Sequence, residues 1–244
     1  MQDIALTYLL VIVALFFSWR MDLRLERRIL YSSFRAFVQL MAMGFVLVWL
    51  FDQDAWWLSL SAMGVMLFFA THTASSHSEL KDGFFVALPV LFLASGIVLT
   101  TLLLIGAVHT ATREVIPMAG MIIGNALNVY TLTVNRLKSD VKLRIDEIEA
   151  KVALGEELKS AMKEAMRQAV KAAMLPILNN LNTVGLVLIP GVTVGMLLAG
   201  ADPMDAVSYQ LVIMYMMVGV SVLAGMFTVT FAYRAIMATA FTKN

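Results

Sequence analysis

Long, continuously apolar stretches separated by short polar connections occupy most of this chain, and this pattern predicts membrane-spanning helices. Continuous runs argue against membrane β-strands, whose apolar and polar residues alternate. We therefore predict an all-α, polytopic integral membrane protein with about seven transmembrane helices in a single domain over residues 1–244. The stretches are Ile4–Trp19, Ser33–Phe51, Ala55–Ala74, Phe84–Val108, Ile116–Val134, Met174–Gly200 and Ser208–Ala238.

One segment, residues 136–171, breaks the pattern because it is strongly charged. It holds nine of the 18 Lys and Arg residues and seven of the 17 acidic residues. Good helix formers dominate it, and its apolar residues recur at roughly helical spacing, which predicts an amphipathic helical insert. Gly155 interrupts the segment and predicts a bend between two helices.

Basic residues lie almost entirely on one side of the predicted spans. The connections on that side carry 17 of the 18 Lys and Arg residues, and Arg113 alone lies on the other side. Basic residues favour the cytoplasmic side, so we predict a cytoplasmic insert, a cytoplasmic C-terminus and an external N-terminus. Met1-Gln2-Asp3 lacks the basic start of a cleaved signal, so the first stretch is expected to be a retained span.

Composition narrows the function. Hydrophobic residues make up 60% of the chain and charged residues 14%, as expected for a membrane protein, and the absence of Cys excludes disulfides and thiolate sites. The middle of each span is nearly free of ionisable residues, which argues against ion-coupled transport and voltage sensing. The chain has no ATP-binding P-loop and no catalytic side-chain constellation. We expect no enzymatic activity, no bound cofactor and no nucleic-acid partner.

Two segments combine proline, paired glycines and asparagines within apolar surroundings. Such residues permit close helix packing, polar contacts between helices, or broken helices that border a watery path. Each residue could serve packing alone, but the two segments flank the insert and together favour a translocation path. The residues predicted to line the path or to pack the helices are Pro117, Gly120, Gly124, Asn125, Asn128, Asn179, Asn182, Pro190, Gly191 and Gly195.

Metal ligands cannot be assigned from the sequence. The 18 Met residues are mostly ordinary filler in apolar stretches. His72 and His77 are five residues apart, a poor spacing for two ligands on one helix face. The metal-binding residues, if any, are therefore unknown.

The insert contains a motif that predicts its partner. Glu149-Ala150, followed by Gly155, resembles the E-A-A-x-x-x-G loop with which ABC importer permeases bind their ATPases, although Lys151 replaces the second Ala. The alternative is an interfacial helix on anionic lipid. The predicted ATPase-docking residues are Glu149, Ala150, Leu154, Gly155 and Leu158.

Several motifs between Val115 and Gln210 carry a family resemblance. They include Val115-Ile-Pro-Met-Ala-Gly-Met-Ile-Ile-Gly-Asn-Ala126, Ala172-Ala-Met-Leu-Pro176, Ile189-Pro-Gly191 and Leu198-Ala-Gly-Ala-Asp-Pro203. In these the chain resembles the FetB family of iron-export ABC permeases, which also includes plant proteins linked to aluminium tolerance.

The resemblance implies a permease of the bacterial plasma membrane that exports iron, another metal or a metal complex. It implies two permease copies and a separate cytoplasmic ABC ATPase, which would bind the ATP and Mg²⁺. A different reading of the same sequence is a non-transporting membrane scaffold or regulatory subunit whose insert binds a cytoplasmic protein or lipid.

Overall fold

The computed structural model describes residues 2–53 and 55–241, and this part of the chain is helical with no strand. Five of its helices (α2, α3, α4, α5 and α10) are long and apolar enough to cross a membrane, which confirms an all-α polytopic membrane protein. The helices are α1 Gln2–Arg20, α2 Glu26–Gln53, α3 Trp56–Ser78, α4 Gly83–Leu104, α5 Thr112–Leu143, α6 Ile145–Ala153, α7 Leu158–Ala161, α8 Lys163–Thr183, α9 Gly191–Leu198 and α10 Pro203–Phe241.

The first compact unit is the pair α1–α2. The Ser18 hydroxyl at the end of α1 donates a hydrogen bond of 2.7 Å to the Glu26 carboxylate at the start of α2, and this contact closes the turn between the helices. Helix α1 is 19 residues long and apolar over most of its length, close to the span expected for one bilayer crossing. Nearly all side chains of α2 are exposed, and the stretch from Ala36 to Leu50 is apolar apart from Gln39, as expected for a helix in lipid.

The second unit is a bundle built around α5. Helices α3, α4, α8 and α10 all pack on α5, and neighbouring contacts run from α3 to α4, from α4 to α10 and from α10 to α8. Side chains along α5, including Ile122, Tyr130 and Leu137, are fully buried. Helix α5 is therefore the central element of this unit.

The predicted sixth span, Met174–Gly200, is wrong as a continuous helix. Helix α8 ends at Thr183, and the backbone then turns through Gly185, whose φ is +83°. Pro190 follows, and proline disfavours helix in the residue before it and cannot donate the helical N–H bond. The chain resumes helix only in the eight residues of α9. The apolar composition of this stretch predicted one helix, although Gly185 and Pro190 both interrupt it.

The charged segment is less separate than predicted, because α5 extends to Leu143 and α8 begins at Lys163. Only residues 144–162, which we call the elbow, lie between these helices, and they contain α6 and α7. The bend expected at Gly155 is present, with a φ of +94°. A left-handed residue of this kind favours glycine because it has no side chain to clash with the backbone.

Candidate functional site

The elbow has one face buried and one face exposed. Ile148 and Met162 are buried in the hydrophobic core that continues from the bundle. On the other face, the predicted docking residues Glu149, Ala150 and Gly155 are exposed and Leu154 is 89% exposed. The fifth predicted docking residue, Leu158, is partly buried. Four of the five positions are therefore exposed, with Leu154 as a protruding leucine, whereas Leu158 packs against the core.

Local hydrogen bonds hold the elbow in this shape. The Gly155 N–H donates to the Val152 carbonyl at 2.9 Å, and the Glu156 N–H donates to the Lys151 carbonyl at 3.0 Å, which closes the end of α6. One turn earlier, the Lys151 ammonium lies 2.6 Å from the Glu147 carboxylate. This pairing lowers the pKa of Glu147 and raises the pKa of Lys151, so both stay charged at neutral pH. The pair is lost as the pH falls through the lowered Glu147 pKa or rises through the raised Lys151 pKa.

The end of α5 that leads into the elbow also contacts the turn between α3 and α4. The Lys138 ammonium donates to the Ser78 carbonyl and lies 3.9 Å from the Glu79 carboxylate. Ser78 is the last residue of α3, where the negative end of the helix dipole favours a cation. The turn is tight, since Glu79 and Asp82 both have positive φ. These contacts tie this end of α5 to the turn between α3 and α4.

Within the bundle, Asn125 provides a polar contact between two long helices. Its side-chain amide donates to the Ser221 hydroxyl at 2.8 Å and to the Met217 carbonyl at 3.2 Å, joining α5 to α10. Such bonds between membrane helices contribute on the order of 1 kcal/mol. Asn125, predicted from sequence as a path or packing residue, is thus a packing contact in this structure.

We expect replacement of Asn125 by leucine to loosen the α5–α10 contact without abolishing folding. The loss is about 1 kcal/mol, because the substitution removes both bonds and leaves the Ser221 hydroxyl bonded only within α10. Thermal unfolding of the purified protein in detergent measures the effect. A change at exposed Thr230 of α10, Thr230→Leu, is expected to leave the stability unchanged because its hydroxyl bonds only within α10, and equal losses in both variants would contradict the assignment.

The other predicted path residues fall into two groups. Gly120, Gly124 and Pro190 are half-buried. A side chain added at Gly124, Gly191 or Gly195 would meet nothing within 4 Å, so these glycines make no close helix contact within one chain. The exposed group consists of Pro117, Asn128, Asn179, Asn182, Gly191 and Gly195. Their role in a path stays a prediction.

Two packing features were missed by the sequence analysis. A Cβ added at Gly225 of α10 would lie 3.1 Å from a methyl group of Val170 in α8 and 3.8 Å from one of Val129 in α5. At the start of α10, the buried hydroxyl of Thr193 donates to the Gln210 side-chain oxygen at 3.2 Å and joins α9 to α10. The small residues around Gly225 in an apolar helix were the available signal for the first feature.

Metal-binding groups do not cluster in the part of the chain that the structure describes. Among residues 2–53 and 55–241, no three His, Asp or Glu side chains are close enough together to hold an ion. His109 lies in the connection between α4 and α5, and its ring nitrogen Nδ1 is 3.1 Å from the Glu114 carboxylate.

Comparison of the sequence with known proteins finds relatives in bacteria and plants. The chain is 33% identical over 234 residues to the probable iron export permease protein FetB of Escherichia coli (strain K12), covering 96% of this chain and 90% of that protein. It is 33% identical to the protein ALUMINUM SENSITIVE 3 of Arabidopsis thaliana, covering 88% and 79%, and 33% identical to the UPF0014 membrane protein YjkA of Bacillus subtilis (strain 168), covering 87% and 86%. No solved structure matches the chain. The FetB resemblance is thereby confirmed, and because the uncharacterised protein family UPF0014 matches residues 1–237, the chain belongs to that family.

Proposed function

We propose that this chain is the membrane-spanning permease subunit of an ABC-type exporter, moving iron or another metal or metal complex out of the cytoplasm. The name of the Escherichia coli relative, a probable iron export permease, supports this class of cargo and direction. The observation that carries the proposal is the elbow, where Leu154 protrudes beside Glu149 and Gly155 between two helices of the bundle. A large apolar side chain in this position, outside the apolar spans, fits a protein partner.

The packing suggests how ATP hydrolysis on a partner would reach the membrane. The elbow is continuous with α5 on one side and follows into α8 on the other, and both helices pack on α10. A force on the elbow would therefore move three helices as one body, and Lys138 would pass the movement to α3. In this scheme the chain itself supplies no catalytic residue, and ATP and Mg²⁺ belong to the partner.

The proposal includes an orientation and an assembly. The basic residues favour a cytoplasmic elbow, a cytoplasmic C-terminus and an external N-terminus in a bacterial plasma membrane. Helix α8, followed by the loop and α9, would make the sixth of seven crossings. Two permease copies and two ATPase copies would form the transporter.

Co-expression with a candidate ABC ATPase, sought in the reading frame adjacent to that of this chain, tests the docking step. We expect the two proteins to purify together, and the charge reversal Glu149→Lys to remove most of the ATPase, because Glu149 is exposed on the elbow. Glu164→Lys, an equal charge change at an exposed position of α8 outside the docking surface, is the control. No co-purification, or retention of the ATPase by Glu149→Lys, would refute this docking surface.

A second candidate is a scaffold or regulatory subunit that transports nothing. The amphipathic elbow favours it equally, because a buried apolar face and a charged exposed face suit any cytoplasmic partner. Vesicles that contain the permease with its ATPase distinguish the two functions. Movement of iron that requires ATP supports the exporter, whereas ATPase binding without any such movement supports the scaffold.

A further inference from the structure

Within the second unit, the neighbouring helices cover α5 on all sides but one. Helices α3 and α8 flank the uncovered side without packing closely on each other, while α4 and α10 lie behind α5. The exposed or half-exposed residues on this side follow alternating steps of four and three along the helix. We call them the open face of α5: Pro117, Met121, Gly124, Asn128, Thr131 and Asn135.

The spacing of the open face indicates what kind of surface fits it. Steps of four and three residues place side chains on one narrow seam, as in helices that pair at about 20° with interlocking side chains. Gly124 has nothing within 4 Å of an added Cβ, so the backbone of α5 is accessible there to another helix. The open face is thus shaped for a helix running nearly parallel to α5.

The polarity of the open face requires a partner. Asn128 is exposed within a run from Val115 to Val134 that contains no charged residue, so it lies in the apolar part of α5. An amide facing lipid without a hydrogen-bond partner is unfavourable by several kcal/mol on hydrocarbon scales. The Thr131 hydroxyl donates a hydrogen bond to the Leu127 carbonyl one turn earlier in α5, so it needs no partner on another helix. The Asn128 side chain is left as the polar group that does.

A second copy of this chain meets the requirement better than the chain's own first hairpin. An amide both donates and accepts, so Asn128 can pair with Asn128 across a twofold axis along the membrane normal. A single Asn on such a seam also selects pairs of parallel helices over larger bundles. Helix α2, by contrast, offers only Gln39 as an amide between Ala36 and Leu50 and otherwise exposes large apolar side chains.

We propose that the open face of α5 is the homodimer contact, with α5 packed against α5 of a second copy and Asn128 paired with Asn128 at its centre. This inference rests on the homodimer in the proposed function and assigns the surface that forms it. Asn179 and Asn182 are exposed on α8, which packs on α5, and we expect them to lie near the edge of the contact.

Cysteine cross-linking in membranes tests the contact directly, because the native chain contains no Cys. Asn128→Cys is expected to convert to a disulfide-linked dimer under mild oxidation, with loss of the monomer band on a non-reducing gel. A disulfide requires Cα atoms within about 7 Å, so only residues at the axis should react efficiently. Asn135→Cys lies two turns further along the open face. It tests the same contact by cross-linking if Asn128→Cys inserts poorly into the membrane.

Exposed residues on the far sides of the bundle provide matched controls. Phe92 of α4 and Tyr215 of α10 are 60% and 67% exposed, and Phe92→Cys and Tyr215→Cys are expected to stay monomeric under the same oxidation. Efficient dimers from a control, or from all variants equally, would overturn the proposal. So would monomeric Asn128→Cys and Asn135→Cys, or an internal disulfide in an Asn128→Cys, Gln39→Cys double variant. The assay needs no ATPase or cargo, so its outcome is separate from that of the docking test.

Discussion

Replacement of Gly225 by leucine is expected to prevent the α5–α8–α10 core from assembling. Even the first carbon added at Gly225 would lie 3.1 Å from Val170, closer than ordinary van der Waals contact. Overpacking by a few atoms typically costs about 1–3 kcal/mol, and leucine adds three further carbons in the same direction. Gly225→Ala should therefore lower the melting temperature moderately, whereas Gly225→Leu should yield little folded protein.

Gly96 of α4 offers the matched control for this substitution. It is also a helical glycine in an apolar span, but a Cβ there meets nothing within 4 Å, and the residue borders an apolar cavity of about 340 Å³ between α3, α4 and α5. Gly96→Leu should therefore fold. Size-exclusion chromatography and thermal unfolding in detergent measure both variants, and a stable, monodisperse Gly225→Leu protein would show that the three helices do not meet closely at this residue.

Truncation of Leu154 to alanine is expected to weaken ATPase binding severely while leaving the permease folded. Leu154 is 89% exposed, so its removal opens no cavity in this chain. If the side chain fills a pocket on the partner, its loss is that of a binding hot spot, about 2 kcal/mol or roughly 30-fold in Kd. Titration of the purified ATPase against the permease in nanodiscs measures the change.

Leu186 makes a stringent control for that measurement. It is 90% exposed and follows the end of α8, whereas Leu154 lies before its start. The same truncation, Leu186→Ala, should leave the ATPase affinity unchanged. An equal affinity for Leu154→Ala and the native protein would exclude Leu154 as an anchor, and an equal loss in both variants would indicate an effect on the bundle instead.

The asparagines show where sequence reasoning stopped. Asn125 and Asn128 lie three residues apart in one apolar segment and are chemically identical, so composition and spacing treat them alike. In the structure, Asn125 bonds to Ser221, 96 residues away, whereas Asn128 is exposed. Which of two neighbouring amides faces another helix depends on the rotation of α5 in the bundle, and that rotation is set by packing with four other helices.

The helix break after Thr183 shows a different limit. Residues 174–200 are apolar enough to suggest one span, because hydropathy averages over a window and ignores backbone geometry. Gly185, Pro190 and Gly191 carried the opposite signal, and the backbone followed their conformational preferences. Here the glycine and proline residues indicated a break, but the prediction gave more weight to the apolar composition.

The sequence by itself determined the all-α membrane architecture and the bend at Gly155. It could do so because lipid requires long apolar helices, and glycine alone tolerates the bend without strain. Only the tertiary structure decided that α5 is the central helix of its unit, that Gly225 lies close against Val170, and that Asn128 is left exposed. These features depend on contacts between residues far apart in the chain, and no periodicity along one helix encodes which neighbour will occupy each of its faces.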